Sequence, residues 1–196
     1  MGKRVSLKVY RGGIRLKALI NIDYTNDFIA QDGALTVGSP GQAIESEVVK
    51  LTKEFVDDGH FVVFAVDAHD QADPFHPENK LFPPHNIRHT SGRNLYGTLG
   101  EYYNEIKEYP HVYFMDKTRY SAFVGTDLDI KLRERGITEV HLIGDVTDIC
   151  VLHTAVYAYS LQYKIVVHQH AVASFNQTGH EWALEHFKNC LGATIC

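Results

Sequence analysis

The fold of this chain is decided by residues 39–67, which read SPGQAIESEVVKLTKEFVDDGHFVVFAVD. Up to Gly59 the apolar residues return every three or four positions, which predicts an amphipathic helix that ends at this glycine. The face that we expect to be buried carries Ile44, Val48, Leu51 and Phe55. Residues 61–67 are almost all apolar and end on Asp67, as is typical of a strand buried on both sides. A helix that leads directly into such a strand indicates an α/β fold.

The same alternation of helix and buried strand extends from this segment in both directions and starts at residue 18. We therefore predict a single α/β domain over residues 18–196, with a parallel, Rossmann-like β-sheet and helices on both faces. Residues 1–17 are basic and contain no acid, so they form a separate N-terminal extension. This extension is either a targeting or surface-binding arm or simply an ordered or frayed end. The predicted strands are 18–23, 61–67, 112–116, 140–144 and 164–168, with a short sixth at 193–196.

Two of the predicted helices have recognisable start signals. Ser39 and Gln42 are spaced as a capping box around Pro40, which would occupy the first helical position. Thr178 and Glu181 have the same spacing at the start of the last helix. Besides the helix that ends at residue 59, helices are predicted over 126–135, from about 148, and over 178–192.

Composition excludes several classes of protein. The 196 residues carry a formal charge of -5, which argues against nucleic-acid binding because that function needs a basic surface. No apolar run approaches the ~20 residues of a membrane span. Cys150, Cys190 and Cys196 show no disulfide spacing, and we expect the last two to be structural. A cytoplasmic protein that binds a small molecule and can form a homo-oligomer fits these features.

Polar residues stand at the ends of four predicted strands. Asp23, Asp67, Lys117 and Asp145 each lie at or just past the carboxyl end of a different strand. In parallel α/β sheets this edge is where ligands bind. One charged residue at a strand end is usually only a turn former, but four on one edge indicate a functional site.

Cys150 lies within residues 144–151, GDVTDICV, at a strand-to-helix junction. In the first turn of a helix, the positive end of the helix dipole lowers the pKa of a thiol and favours the nucleophilic thiolate. The alternative is a small buried cysteine that only packs on the helix. The position of Cys150 does not separate these two readings.

A cysteine nucleophile needs a proton acceptor and a group that stabilises the anion. Asp23 can accept the thiol proton, and Lys117 can hold both anions by Coulomb attraction, which gives a Cys-Asp-Lys triad. Taken alone, Asp23 would cap a turn and Lys117 would be solvated. The backbone N–H groups of Val146 and Cys150 are the predicted oxyanion donors.

A metal site is predicted after the second strand. Asp67 and His69 are two apart in extended chain, so they point the same way and can share one ion. His85 would complete a set that suits a divalent ion, Zn²⁺ first, with Fe²⁺ or Mn²⁺ as alternatives. Glu78 and His76 compete for one more ligand position. The alternative for Asp67 and His69 is a turn with a solvated histidine.

Taken together, five segments resemble the nicotinamidase/pyrazinamidase branch of the isochorismatase-like hydrolases over nearly all of residues 18–196. None of them is specific alone, but their order is. They are DYTNDF at 23–28, DAH at 67–69, KLFPPH at 80–85, DK at 116–117 and GDVTDICV at 144–151.

This resemblance implies a hydrolase that converts nicotinamide to nicotinate and ammonia through a cysteine thioester, in NAD salvage, and that also accepts pyrazinamide. It implies that Asp23, Lys117 and Cys150 are catalytic. The metal ligands would be Asp67, His69, Glu78 and His85, and the aromatic walls around the pyridine ring would be Phe28, Phe82 and Tyr120.

The resemblance also implies a cis peptide between Asp145 and Val146 that turns the oxyanion donors inward. The chain departs from the commoner family pattern at Thr25, often a glutamine, and at Asp145, often apolar. An acid beside the oxyanion hole puts its geometry in question. The rival functions are another amide hydrolase of the same superfamily and a non-catalytic scaffold that keeps the fold.

Overall fold

The computed structural model describes residues 15–71 and 73–196, so the predicted extension over 1–17 falls mostly outside the described residues. Six strands form one parallel sheet in the order β3-β2-β1-β4-β5-β6. This is the strand order of a doubly wound, Rossmann-like sheet, so the predicted fold class is confirmed. The strands are β1 (Ala18–Ile22), β2 (Phe61–Asp67), β3 (Val112–Lys117), β4 (Glu139–Asp145), β5 (Lys164–Ala173) and β6 (Thr194–Ile195).

Helices connect the strands. The α-helices are α1 (Asn26–Ile29), α2 (Ser39–Ala43), α3 (Glu45–Asp57), α4 (Gly97–Ile106), α5 (Leu128–Glu134), α6 (Leu152–Ser160) and α7 (Gln177–Leu191). Two short 3-10 helices, Pro77–Lys80 and Ser91–Arg93, lie in the long connection after β2, and a π-helix, Thr147–Val151, precedes α6. Within the described residues, no helix combines the length and apolar character that crossing a membrane requires.

The two faces of the sheet bury separate groups of apolar side chains. In β1, Leu19 belongs to the group packed under α3 and α4, whereas Ile20 and Ile22 belong to the group packed under α5, α6 and α7. Helices therefore cover both faces, as predicted. Because the strands are buried on both sides, their polar residues concentrate at the strand ends, where the side chains can reach a ligand.

The predicted helix over residues 39–59 is in fact two helices, separated at Ile44. The capping box predicted there is wrong. Gly38, not Ser39, precedes α2, and Gln42 Nε2 donates a hydrogen bond to the Ile29 carbonyl at 3.0 Å instead of turning back. The predicted apolar face is confirmed by the burial of Val48, Leu51 and Phe55.

The capping box predicted for the last helix is also wrong. Asn176 caps α7, because its side chain accepts a hydrogen bond from the Gly179 N–H at 3.1 Å. Thr178 lies inside the first turn, and Glu181 accepts from Gln177 Nε2 at 2.8 Å. The predicted stop at Gly59 is confirmed, since this residue has positive φ just past the end of α3, and Gly136 and Gly192 do the same past the ends of α5 and α7.

Helix α4 has no counterpart among the sequence predictions. Its segment contains Gly97 and Gly100, both of which weaken a helical pattern. Both glycines are required by close packing: a Cβ at position 100 would lie 2.4 Å from the Leu95 carbonyl oxygen, and Gly97 has φ of 51° against Glu45. Close packing around these two glycines, rather than helix propensity, therefore explains why this segment is helical.

Candidate active site and metal site

The side chains predicted to be catalytic meet at the carboxyl edge of the sheet. The strand order reverses at β1 and β4, and such a switch point is the usual ligand crevice of this architecture. Asp23 follows β1, Lys117 ends β3, and Cys150 lies in the π-helix after β4. Tertiary structure thus collects residues that are more than a hundred positions apart in sequence.

Lys117 is the centre of this cluster. Its Nζ lies 2.7 Å from Asp23 Oδ2, 2.5 Å from Asp67 Oδ1 and 3.6 Å from Cys150 Sγ. All four residues are buried, with Lys117 and Asp23 at 0% exposure. One ammonium group therefore bridges two carboxylates and the thiol, and the three residues predicted as a triad are in mutual contact.

Asp23 is held in place by its backbone as well as by Lys117. Its φ is 56°, which is uncommon for a residue other than glycine and is found where function demands a special conformation. Its N–H donates to the Ala65 carbonyl at 3.1 Å, and its Oδ1 accepts from the Asp67 N–H at 2.8 Å. The other carboxyl oxygen is left to face Lys117.

The protonation of the pair Asp23 and Cys150 follows from this burial. Burial and the neighbouring Asp67 raise the pKa of Asp23 to about 6, although Lys117 opposes the shift. Burial also raises the pKa of the Cys150 thiol well above its usual range, and Lys117 lowers it only in part. Of the two possibilities that the sequence left open, burial therefore favours the neutral thiol over a dipole-stabilised thiolate. Cys150 is a thiol that must give up its proton when it reacts.

The helix that carries Cys150 begins as a π-helix rather than an α-helix. The Val151 N–H donates to the Val146 carbonyl at 3.2 Å, five residues back, and the Ile149 N–H donates to the same oxygen at 3.0 Å. Single π-turns of this kind are frequent at functional sites. The peptide between Asp145 and Val146 is cis, which confirms the expectation drawn from the sequence.

The four side chains predicted to bind metal also converge. His69 Nε2 lies 3.8 Å from Asp67 Oδ2 and 4.0 Å from Glu78 Oε2, and His85 Nε2 lies 4.0 Å and 3.6 Å from the same two atoms. All four are buried, and they form a group able to hold a metal ion. Two ligands that are each ~2.1 Å from one ion can be up to ~4.2 Å apart, so these separations fit a shared divalent ion.

The hydrogen bonding of this group supports the same conclusion. Asp67 Oδ2, His69 Nε2 and His85 Nε2 are buried and have no hydrogen-bond partner among the described residues. Buried polar atoms are normally satisfied, so three unsatisfied atoms aimed at one point indicate a cation. The chemistry of the set, two imidazoles and two carboxylates, suits a divalent transition metal.

His76 is excluded as the additional ligand. Its Nε2 is 2.9 Å from the Thr118 carbonyl, and its Nδ1 accepts from the Glu78 N–H at 3.3 Å. Both ring nitrogens are therefore engaged, and His76 supports Glu78 instead. In His85, Nδ1 bonds to the Pro83 carbonyl at 2.8 Å, which leaves Nε2 free for an ion.

Two of the three predicted aromatic walls, Phe28 and Phe82, lie beside His85 of the candidate metal-binding group. The Phe28 ring centroid is 5.3 Å from that of His85, and the Phe82 ring is 6.2 Å from it. The Tyr120 ring packs against His153 with ring centroids 5.1 Å apart, and the pKa of Tyr120 is raised to about 12 by its partial burial and by the charges of Glu78 and Cys150. Phe123, another possible wall, is a core residue, stacked on Tyr163.

Arg93 and Asp116 are supporting residues that sequence reasoning missed. Arg93 Nε donates to the Asp67 carbonyl at 2.6 Å and its Nη2 pairs with the Asp116 carboxylate, which also pairs with Arg88. This network fixes the end of β2, where Asp67 of the candidate metal-binding group lies. No spacing signal in the sequence links Arg93 to residue 67, because their contact depends on the long loop between them.

Comparison with known proteins gives consistent results. A model of the isochorismatase domain matches residues 17–196. An uncharacterized isochorismatase family protein, PncA of Bacillus subtilis (strain 168), is 62% identical over 179 residues, 91% of this chain and 98% of that protein. The crystal structure of nicotinamidase/pyrazinamidase PncA from Bacillus subtilis has a TM-score of 0.91 and 61% identity and covers 92% of this chain and 99% of that chain. Pyrazinamidase of Pyrococcus horikoshii in complex with zinc has a TM-score of 0.79, 27% identity and coverage of 92% and 98%. The chain therefore belongs to the isochorismatase family.

Proposed function

We propose that this protein is a nicotinamidase, an amidohydrolase that converts nicotinamide to nicotinate and ammonia in NAD salvage. The observation that carries the proposal is the contact between Lys117, Asp23 and Cys150 directly beside a four-residue metal-binding group. The similarity to solved nicotinamidase and pyrazinamidase structures supports the substrate class. Cysteine usage and composition favour a cytoplasmic setting.

Asp23 is the general base and later the general acid. It accepts the Cys150 proton while Sγ attacks the carboxamide carbon, and its pKa of about 6 suits proton exchange near neutral pH. The C–N bond then breaks as Asp23 returns the proton to the leaving nitrogen, which departs as ammonia. Water then adds to the thioester and gives one proton to Asp23. The C–S bond breaks as Asp23 returns that proton to Sγ, and the acid product loses its remaining proton to solvent and leaves as the carboxylate.

Lys117 keeps this proton transfer favourable. Its pKa is raised well above the usual range, because Asp23 and Asp67 outweigh the effect of burial, so it stays an ammonium. The positive charge 3.6 Å from Sγ stabilises the thiolate as the proton leaves. The N–H groups of Val146 and Cys150 are the donors that we assign to the tetrahedral oxyanion.

Asp67, His69, Glu78 and His85 would hold one divalent ion, and we propose zinc as that ion. When bound, the ion supplies a Lewis-acid contact for the ring nitrogen of the substrate and so orients the amide. The aromatic walls Phe28, Phe82 and Tyr120 exclude water around the ring. A pyrazine ring offers the same nitrogen and shape, so pyrazinamide is a second expected substrate.

The test is an ammonia-release assay with nicotinamide on the metal-loaded protein. We expect turnover in the wild type and a loss of at least ~10³-fold in Cys150→Ala, which keeps its metal. Cys196→Ala is the matched control, since Cys196 is exposed and far from the site in the fold. A folded, metal-loaded wild type that releases no ammonia from nicotinamide would contradict the proposal.

A further inference from the structure

Asp145 is a buried acid for which the proposed reaction has no use. It ends β4, is 0% exposed, and neither carboxyl oxygen has a hydrogen-bond partner among the described residues. It pairs in register with Ala173 of β5, whose side chain belongs to the core under α3. An ionised carboxylate in that position would be strongly unfavourable, because nothing replaces its water.

Asn21, on the same side of the sheet, is also buried with unsatisfied polar atoms. It is 1% exposed, and both its amide nitrogen and its amide oxygen lack partners. Asn21 is in register with Ile143 on the neighbouring strand, two residues before Asp145, which puts the two Cα atoms roughly 8 Å apart. An amide offers N–H donors and a carbonyl acceptor, and these complement the carbonyl and hydroxyl of a neutral carboxylic acid.

The charges around Asp145 also favour its neutral form. The titratable groups that act on it are Asp23, Lys117 and Asp67, and it acts in turn on Tyr24. Asp23 and Asp67 already share the single positive charge of Lys117. A third carboxylate would repel Asp23, and burial together with Asp23 raises the pKa of Asp145 well above its ordinary value.

We propose that Asp145 is a positioning residue that works as a neutral carboxylic acid and shares a buried water molecule with the Asn21 amide. No direct hydrogen bond joins the two side chains, so the water completes both. The pair ties the end of β4 to β1 behind the peptide that carries the Val146 N–H. That N–H is an oxyanion donor, on the proposed function, and a neutral acid beside it does not oppose the negative charge.

The protonation state is measured directly by infrared spectroscopy on the full chain. At about pH 8, ordinary Asp and Glu side chains are ionised, so a carbonyl band of a protonated carboxyl group is expected in the wild type and absent in Asp145→Asn. A wild-type spectrum without a band that this substitution removes means that Asp145 is ionised, and the proposal is overturned. This readout does not depend on turnover.

Coupling between Asn21 and Asp145 is measured by thermal unfolding of Asn21→Leu, Asp145→Val and the double variant. Each single change leaves the other group unpaired, so we expect each to lower Tm. The double change removes both polar groups, so its loss in Tm is expected to be smaller than the sum of the two. Strictly additive losses would show that the residues are independent and overturn the shared site.

Kinetics separate a positioning role from a catalytic one. Asp145→Val cannot bind the water, so we expect it to lower kcat about tenfold, whereas Asp145→Asn, a neutral and isosteric side chain that can bind the same water, restores kcat to within about threefold of wild type. A loss of about a hundredfold, the size expected when an oxyanion donor is removed, would show direct participation in the reaction and overturn the proposal. If the wild type does not hydrolyse nicotinamide at all, the proposed function fails, while the infrared and unfolding experiments still decide the state of Asp145.

Discussion

At the scale of single residues, burial sets the chemistry of the site. Cys150, Asp23 and Lys117 would each be ordinary side chains in water, but at 0–3% exposure their charges interact strongly. The thiol remains protonated, the lysine remains charged, and Asp23 has a pKa of about 6. The proton inventory of the proposed reaction follows from these environments rather than from residue type.

We expect Lys117→Met to destabilise the protein by about 3–5 kcal/mol, because it leaves the buried Asp23 and Asp67 carboxylates without a counter-charge. Denaturant unfolding measures this loss. Lys50→Met is the control, since its ion pair with Glu47 lies on the surface, and it should leave the midpoint unchanged. Equal losses in the two variants would mean that the buried charge network does not stabilise the fold.

Metal content gives a second prediction at this scale. His85→Ala removes one of the two imidazoles, so we expect bound metal to fall from about one ion per chain to below half, as measured by elemental analysis after dialysis. Glu78→Gln should weaken binding less, because an amide oxygen can still coordinate. His186→Ala, at a half-buried position on α7 where the ring stacks on Trp182, should keep the full complement. Retention of metal by His85→Ala would remove it from the ligand set.

At the scale of secondary-structure elements, helix stops were predictable where a glycine marks them, but helix starts were not. The glycine stops have a direct cause, because Gly adopts positive φ at little cost. The starts depend on which side chain reaches a free N–H, and at α7 this is Asn176, one residue before the helix, rather than Thr178. Serine and threonine spacing alone does not fix the first residue of a helix.

The cap of α7 is tested by comparing Asn176→Ala with Thr178→Ala. Loss of a side-chain cap costs about 1 kcal/mol, so Asn176→Ala should lower the free energy of unfolding by that amount. Asn176→Ser should restore most of the loss, because serine caps equally well. Thr178→Ala should have little effect. A larger loss in Thr178→Ala than in Asn176→Ala would instead support the capping box expected from the sequence.

At the scale of the whole molecule, the amino edge of the sheet contains a histidine pair that links stability to pH. His141 Nδ1 and His168 Nε2 are 2.9 Å apart, and Glu139 contacts the other nitrogen of His141. Burial, and then His141, lower the pKa of His168 to about 4 from its ordinary 6.5. The folded protein thus takes up a proton at His168 less readily than the unfolded chain.

Stability from His168 should therefore be fully present above pH 6.5 and decrease as the pH falls from 6.5 towards about 4. We expect Tm of the wild type to fall across this window more steeply than Tm of His168→Gln, which cannot take up the proton. His186→Gln, a substitution on α7 outside this histidine pair, should follow the wild type. Parallel Tm curves for wild type and His168→Gln would show that the pair does not link stability to pH.

Most strands of the fold could be predicted from the sequence. Strands β2, β3 and β4 were placed to within a residue at each end, since continuous apolar runs leave little choice. The ten residues of β5 were predicted as five, because polar residues 168–170 interrupt the pattern where the pairing with β4 slips between Leu142 and Gly144. The boundary between the basic extension and the domain at residue 18 stays a prediction, as does a homo-oligomer.

The sequence by itself determined the α/β class, the strand ends that carry polar residues, and the candidate catalytic and metal-ligating side chains. These features depend on local periodicity and residue type. Only the tertiary structure decided that Lys117 bridges Asp23, Asp67 and Cys150. It also decided that Glu78, rather than His76, joins Asp67, His69 and His85, and that Cys150 is buried. The reason is physical: hydrogen-bond partners, distances and desolvation come from segments far apart in the chain, and no local pattern encodes them.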